Sequence, residues 1–391
     1  MGRVYLDWNA SAPLRDEARA AACAALDLTG NASSVHGEGR AARHVLEDAR
    51  EAVARLVQAG PRNVIFTAGG TEANALALSP GIQVGSDRHP FTRLLVSGIE
   101  HPSVLAGGRF AAAAVEQVAV RADGVVDLLA LEQRLDARAR ANERVMVSLM
   151  AANNETGVIQ PVRAAAEIVH RHGGLLHVDA VQAAGRIALD IAALGADLMT
   201  LSAHKIGGVK GAGALIRRDE SIHADALIRG GGQERGARAG TENTAAIAAF
   251  GAAAAAVAAN FAAEVAHMAA LRERLEAGIR TATPAAVVFG AKADRLPNTT
   301  LVAVPGAKAE TLVIAFDLDG VAVSSGAACS SGKVAPSHVL AAMGQSAELA
   351  RGAIRVSTGH ATSEADIDRL LNVWQKLTKS LSMQQKRGLA A

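Results

Sequence analysis

The sequence predicts a doubly wound α/β fold with a mainly parallel sheet, followed by a smaller α+β unit. Three observations carry that expectation. From about residue 60 to 220, short apolar runs alternate with stretches of helical pattern. Polar clusters follow these runs directly, and ligands of such sheets bind beyond the carboxyl ends of the strands. Beyond the alanine-rich stretch at 244–263 the texture changes to short strand-like runs interleaved with helices.

In chain order, the candidate strands of the first unit cover residues 64–67, 94–97, 145–149, 175–178, 198–201 and 214–216. Helical patterns lie between them. Residues 163–172, for instance, end in Gly173-Gly174, a sound helix stop, and a further helix is expected to begin near Val181. Residues 244–263 form the only segment long enough to mimic a membrane span, but they are mostly alanine, are interrupted by Asn260, and have Glu242 and Glu264 at their edges. Alanine contributes little transfer energy, so the expectation is a long helix packed closely through small residues. A boundary falls near residue 257. After it come candidate strands at 287–289, 299–304, 321–324 and 354–357, with helices at 309–317, 337–343 and 363–381. The polar tail 383–387 is expected to fray.

Composition narrows the function classes. The 391 residues carry a net charge of +2 and 3% aromatic residues, too few for base-stacking platforms and too weakly basic for a nucleic-acid binder. Cys23 and Cys329 are the two cysteines, far apart and not spaced for metal, which excludes a disulfide framework and fits a reducing cytoplasm. The run from Met1 to Trp8 has no apolar core after a basic start, so no signal peptide is expected.

The chemistry gathers behind the strands. Lys205, in Ser202-Ala203-His204-Lys205, lies where a buried strand should end, and desolvation favours the free amine that forms imines with carbonyls. Asp179 closes the preceding apolar run. An imine-forming lysine and an acid able to hold a pyridinium nitrogen are the pair that a pyridoxal phosphate site needs. For Asp179 the bland alternative is a carboxylate that merely caps the helix after it. Gly69-Gly70-Thr71 joins a strand to a helix, with backbone amides and a hydroxyl suited to a phosphate; a tight turn capped by Thr71 is the plainer reading. His101 reads as a ring against a cofactor face or as a helix cap. Gln182 and Asn154 are each able to donate to a ring oxygen, and Asn154 to a substrate carboxylate as well. Arg355, inside a strand pattern, is either a bidentate carboxylate clamp or half of a buried ion pair. Cys329 lies in Ser324-Ser325-Gly326-Ala327-Ala328-Cys329-Ser330-Ser331-Gly332, among small residues with no apolar anchor, as a nucleophile that must travel would be. Cys23, in an alanine-rich helical pattern, is given no role.

With these residues assembled, the chain resembles the cysteine desulfurases, in the class V aminotransferase group of pyridoxal-phosphate enzymes of fold type I. It is most similar to their NifS/IscS-like, long-loop branch. The likeness runs from Tyr5-Leu6-Asp7 through Gly30-Asn31-Ala32-Ser33-Ser34-Val35-His36, Gly70-Thr71, Glu100-His101 and Asn153-Asn154-Glu155-Thr156-Gly157. It continues through Asp179 to Gln182, the Lys205 motif, Gly231-Gly232-Gln233-Glu234, Gly240-Thr241-Glu242-Asn243 and the segment around Cys329. It departs at Trp8, where asparagine or histidine is more usual, at Val209, which replaces a common proline, and at Thr358-Gly359-His360.

The resemblance implies a seven-stranded sheet flanked by helices in a large domain, residues 15–256. It implies a small domain of residues 1–14 and 257–391, carrying a mobile cysteine loop at about 324–336. Lys205 would hold pyridoxal 5'-phosphate as an imine, Asp179 would pair with the pyridine nitrogen, His101 would stack on the ring, and Gln182 and Asn154 would contact its oxygen. Gly70, Thr71, Ser202 and His204 would bind the phosphate, with Thr241 reaching that of the neighbouring subunit in a homodimer. Arg355 would take the carboxylate of L-cysteine, and Cys329 would become the persulfide, passing sulfur to an acceptor such as an iron–sulfur scaffold. No resident metal is implied, although that persulfide could serve as a transient iron–sulfur ligand. A cytoplasmic enzyme with neither a nucleic-acid nor a membrane partner is expected. Selenocysteine lyase, an aminotransferase of the same fold and a non-catalytic cluster scaffold are the competing readings. The cysteine argues against the second and the Lys205–Asp179 pair against the third.

Overall fold

The computed structural model describes residues 2–326 and 337–388. In chain order the strands are β1 Val4–Tyr5, β2 Val64–Thr67, β3 Gln83–Val84, β4 Arg93–Ser97, β5 Val115–Val118, β6 Val145–Met150, β7 Leu175–Asp179, β8 Leu198–Ser202, β9 Gly213–Arg217, β10 Ile222–His223, β11 Val287–Val288, β12 Thr299–Ala303, β13 Val321–Ala322, β14 Ser324–Ser325 and β15 Ile354–Ser357. The helices are α1 Asp16–Leu26, α2 Gly37–Leu56, α3 Gly70–Ala77, α4 Pro102–Leu105, α5 Leu128–Arg140, α6 Val162–Arg171, α7 Thr244–Ala282, α8 Ala309–Leu318, α9 His338–Ala342, α10 Ala347–Arg351 and α11 Glu364–Gly388.

Seven strands form the main sheet in the order β2-β9-β8-β7-β6-β4-β5. Every neighbour from β5 to β8 pairs in parallel, and β9 alone runs the other way between β8 and β2. Both faces are covered, so successive strand residues feed two different cores. Phe66, Val147, Leu176, Met199 and Ala214 face one, which α2, α6 and the first half of α7 close. Ile65, Met146, Leu175, Leu198 and Leu215 face the other, under α3. A third core gathers Val4 and Leu6 with Leu271, Leu275 and Ile279 of α7, Phe316, Ile354, Val356 and Trp374. It lies behind the four-stranded antiparallel sheet β11-β12-β15-β14, and β1 pairs in parallel with β13 beside it. A fourth, smaller cluster, with Ile99, Met150, Phe289, Leu301 and Leu340, joins the main sheet's carboxyl edge to this second sheet.

Helix α7 runs unbroken for 39 residues, well past Ala263, with Asn260 inside it donating to the carbonyl of Ala256. Its side-chain cap is Asn243, which accepts the amide of Ala246. The small residues act as predicted: a Cβ on Gly251 would lie 2.5 Å from Ala49 Cα of α2, so this crossing requires glycine. The helix is long and apolar enough by composition to cross a membrane, but 56% of its most apolar window is buried against the rest of the protein.

Four expectations need correction. No α-helix starts near Val181; residues 181–186 form a succession of turns, with glycine at positive φ (74°) at Gly185. The run 321–324 is split between two sheets, β13 on β1 and β14 on β15, because the chain changes partner at Val323. β5 was not among the candidate strands: Val115-Glu116-Gln117-Val118 lies at the sheet edge and is mostly half-buried, so it lacks the continuous apolar run of its neighbours. Residues 383–387, expected to fray, continue α11.

Candidate functional site

A cavity of about 300 Å³ opens beyond the carboxyl ends of β6, β7 and β8. Gly70, Thr71, His101, Asn154, Asp179, Gln182, Ser202, His204, Lys205 and Arg355 all line it. Ten residues singled out in the sequence, from positions 70 to 355, thus meet at one place. Thr241 does not join them; it lines a separate cavity with Phe66, Glu234 and Arg238. Cys329 lies outside the described residues.

Each side chain is placed by a local cause. β8 ends at Ser202 and passes into a 3-10 turn, Ala203–Lys205, which carries Lys205 half-buried into the cavity. Its Nζ donates to the carbonyls of Asn9 and Ala10 at 2.6 and 2.9 Å. Asp179 ends β7. One oxygen accepts the amide of Val181 at 3.0 Å, so it does cap the following turn. The other accepts Nδ2 of Asn74 at 2.8 Å. The same amide reaches Ser103 Oγ at 2.9 Å, which in turn lies 2.7 Å from His101 Nδ1. His101 also accepts the amide of Ser103 and so caps α4, while burial holds its pKa below the ordinary histidine value against the opposing pull of Asp179. Capping and lining are one placement here, not alternatives.

The start of α3 approaches β8 closely: a Cβ on Gly70 would lie 3.0 Å from Val181 and 3.4 Å from Ser202. The N-cap is Gly69, not Thr71, so the Thr71 hydroxyl is not spent on capping and belongs to the cavity wall. His204 bonds Ser11 Oγ through Nδ1, and burial, then the charge of Lys205, push its pKa down to about 4. Arg355 is 2% exposed and pairs with Asp7 at 2.7 Å, as the ion-pair reading expected. It also donates to the carbonyl of Asn154, and its buried Nε has no partner among the described residues.

Asn9, Asn74 and Ser103 were missed by sequence reasoning. Asn74 follows Gly70 by four residues on α3, the spacing that puts both on one helix face. That was the available signal. Asn9 gives none, because it acts through its main chain: its carbonyl accepts both Lys205 Nζ and Gln182 Nε2. Its side chain donates to Thr299 Oγ1 and the Asn154 carbonyl and accepts from Asn298.

The class-V aminotransferase family model matches residues 4–370. The chain belongs to that family. It is 43% identical to a cysteine desulfurase of Cereibacter sphaeroides, over 97% of each chain. It is 36% identical to an IscS-like cysteine desulfurase of Mycobacterium tuberculosis, over 99% of this chain and 98% of the relative. Among solved structures, a NifS-like protein from Rickettsia africae superposes with a TM-score of 0.85 at 32% identity, covering 96% of this chain and 99% of the other. Class-V enzymes of this kind depend on pyridoxal 5'-phosphate, and the cavity fits that group. Gly70, where a Cβ would crowd Val181, lines the cavity together with Asp179, and Gln182 Oε1 is a buried acceptor without a partner among the described residues.

Two of the positions at which the sequence reading expected a departure from the family pattern touch each other. The Trp8 ring lies edge-on to His360 at 5.2 Å, and a Cβ on Gly359 would sit 2.0 Å from that ring. Trp8 thus fills the space that a side chain at 359 would need. Val209 packs against the large core as a partly buried apolar residue. No group of three or more His, Cys, Asp or Glu side chains is placed to hold a metal among the described residues.

Proposed function

We propose that this chain is a pyridoxal-phosphate-dependent cysteine desulfurase that converts L-cysteine to L-alanine and leaves the sulfur on Cys329 as a persulfide. The observation that carries this reading is the meeting of Lys205, Asp179, His101 and Arg355 in one cavity of a class-V chain. The amides at the start of α3, with Thr71, Ser202 and His204, would hold the phosphate. Asp179, fixed by Asn74, would hold the proton on the pyridine nitrogen. His101 would stack on the ring, and Gln182 and Asn154 would contact its oxygen. When bound, the cofactor supplies a sink for the electrons released at the α-carbon of the amino acid.

Arg355 binds and orients the substrate carboxylate, its charge held in place by Asp7. Lys205 moves the proton from the α-carbon. The Cys329 thiolate then attacks the substrate sulfur, an S–S bond forms as the C–S bond breaks, and the carbon keeps the electron pair and takes a proton. Thr241 reaches the phosphate of the other subunit of a homodimer. The persulfide serves a sulfur-acceptor protein, such as an iron–sulfur scaffold, in the cytoplasm, and can act as a transient iron–sulfur ligand. We also propose residues 15–256 as one domain and 1–14 with 257–391 as the other; the separate core that unites Val4 and Leu6 with Ile354 and Trp374 supports that division.

The test is Cys329→Ser. The purified variant should keep the visible absorbance of the cofactor and its change on adding L-cysteine, while sulfide release falls to about one-hundredth of the parent rate or less. Cys23→Ser, at an exposed position on α1, should match the parent. Mass analysis after a cysteine pulse should find one added sulfur on the Cys329 peptide. A label on Cys23, or parent-level turnover by Cys329→Ser, would reject the mechanism.

A further inference from the structure

Arg186 lies behind Lys205, in the turns that follow β7, with 5% of its surface exposed. A buried guanidinium ordinarily has a carboxylate partner. Arg186 forms no such ion pair among the described residues, and the acid that lines a cavity with it is already engaged. Glu264 is held by both terminal nitrogens of Arg15 at 2.8 and 2.6 Å. Arg186 is held instead by main-chain carbonyls. Nη1 donates to Gln182 at 2.9 Å and Nη2 to Lys205 at 3.4 Å.

We propose that Arg186 is a positioning residue for Lys205. It fixes the two turns that present Gln182 and Lys205 to the cavity, and its uncompensated buried charge disfavours a second positive charge on the Lys205 nitrogen. The proposal rests on the reading of Lys205 as the cofactor-bearing lysine. A second, smaller cavity gives the geometry: Arg186 and Lys205 line it together with Arg15, Glu264 and His360. On the other side, the groups that line the main cavity with Lys205 are Asp179, His101, His204 and Arg355. Asp179 is the one carboxylate there, and Asn74 and the Val181 amide already engage its two oxygens. Burial, then the charge of Arg355, lower the Arg186 pKa to about 10, which leaves it charged at neutral pH.

The test is a pH titration of the visible absorbance of the holoenzyme, which reports the proton on the lysine–cofactor imine. Arg186→Gln should raise the midpoint by about one pH unit relative to the parent. Arg186→Lys is the independent check. An ammonium, with an ordinary pKa of about 10.4, would shed its proton near pH 8 if burial costs it as much as the guanidinium. That variant should therefore follow the parent curve at lower pH and show a second inflection near pH 8. An unmoved midpoint in Arg186→Gln, or a single-step parent curve in Arg186→Lys, would overturn the proposal. A parent protein without visible absorbance would instead overturn the cofactor reading on which it rests.

Discussion

Glu155 shows how much one buried side chain can say. It is 3% exposed, its carboxylate accepts Ser337 Oγ at 2.5 Å, and a Cβ on Gly326 would lie 3.4 Å from the same oxygen. Burial raises its pKa from 4.5 to about 7, with Ser337 and the charge of Arg355 pulling the other way. The native state therefore binds more protons than the unfolded chain between these two values, and stability falls as pH rises through that window, by about 3 kcal/mol when complete. Glu155→Gln keeps an acceptor for Ser337 and removes the titration. Its melting temperature relative to the parent should be higher at pH 8 than at pH 4.5, measured by thermal unfolding of both proteins. The sequence quoted Glu155 within a motif and gave it no task, because only the fold brings Ser337 and Gly326 to it. Lys205 and Asp179 were legible for the opposite reason: each stands beside an apolar run that could only be a buried strand.

At the scale of the element, the centre of the main sheet is tied by a polar side chain. His177 of β7 reaches Ser148 of β6 at 2.8 Å and Thr200 of β8 at 2.9 Å, one ring nitrogen to each. It is fully buried, and desolvation lowers its pKa from 6.5 to about 4. His177→Ala leaves two buried hydroxyls without their partner and opens a void, so it should cost about 3 kcal/mol in urea unfolding at pH 7. The native histidine binds fewer protons than the unfolded one between pH 4 and 6.5, so its contribution is present above 6.5 and declines as pH falls. The stability gap between parent and variant should accordingly narrow from pH 7 to pH 4.5. Strands with continuous apolar runs were readable from sequence. The edge strand β5 was not, since one neighbour and partial exposure let it carry Glu116 and Gln117. The turns at 181–186 were mistaken for a helix because alanine and glutamine suit either, and nothing local reveals that Arg186 ties them down through the Gln182 carbonyl.

At the scale of the molecule, Asn9 joins elements far apart in the chain: Thr299 on β12, Asn298 before it, the Asn154 loop and the amine of Lys205. Asn9→Ala strips partners from three buried polar groups and should lower stability by about 2–4 kcal/mol, read as a lower melting temperature in calorimetry. The holoenzyme should also lose cofactor faster on dialysis, because the lost side-chain bonds anchor the segment whose main-chain carbonyl accepts Lys205 and Gln182. The division into a large sheet and a later α+β unit was readable as a change of texture. The return of the N-terminal strand to the far unit was implied only by resemblance, because β1 is two residues long.

Helix α7 sets a mechanical limit. At about 1.5 Å per residue it is a rod of roughly 58 Å, its first half set in one core and Leu271, Leu275 and Ile279 set in another. The segment from β1 to Arg15 straps the same two bodies a second time, through Val4 on Gly320 and Ala12 on His204. An axle embedded at both ends and strapped alongside transmits torque but allows little swing. The width of the crevice over Lys205 is therefore a built dimension rather than a working stroke, and reactants must come and go past side chains and short segments.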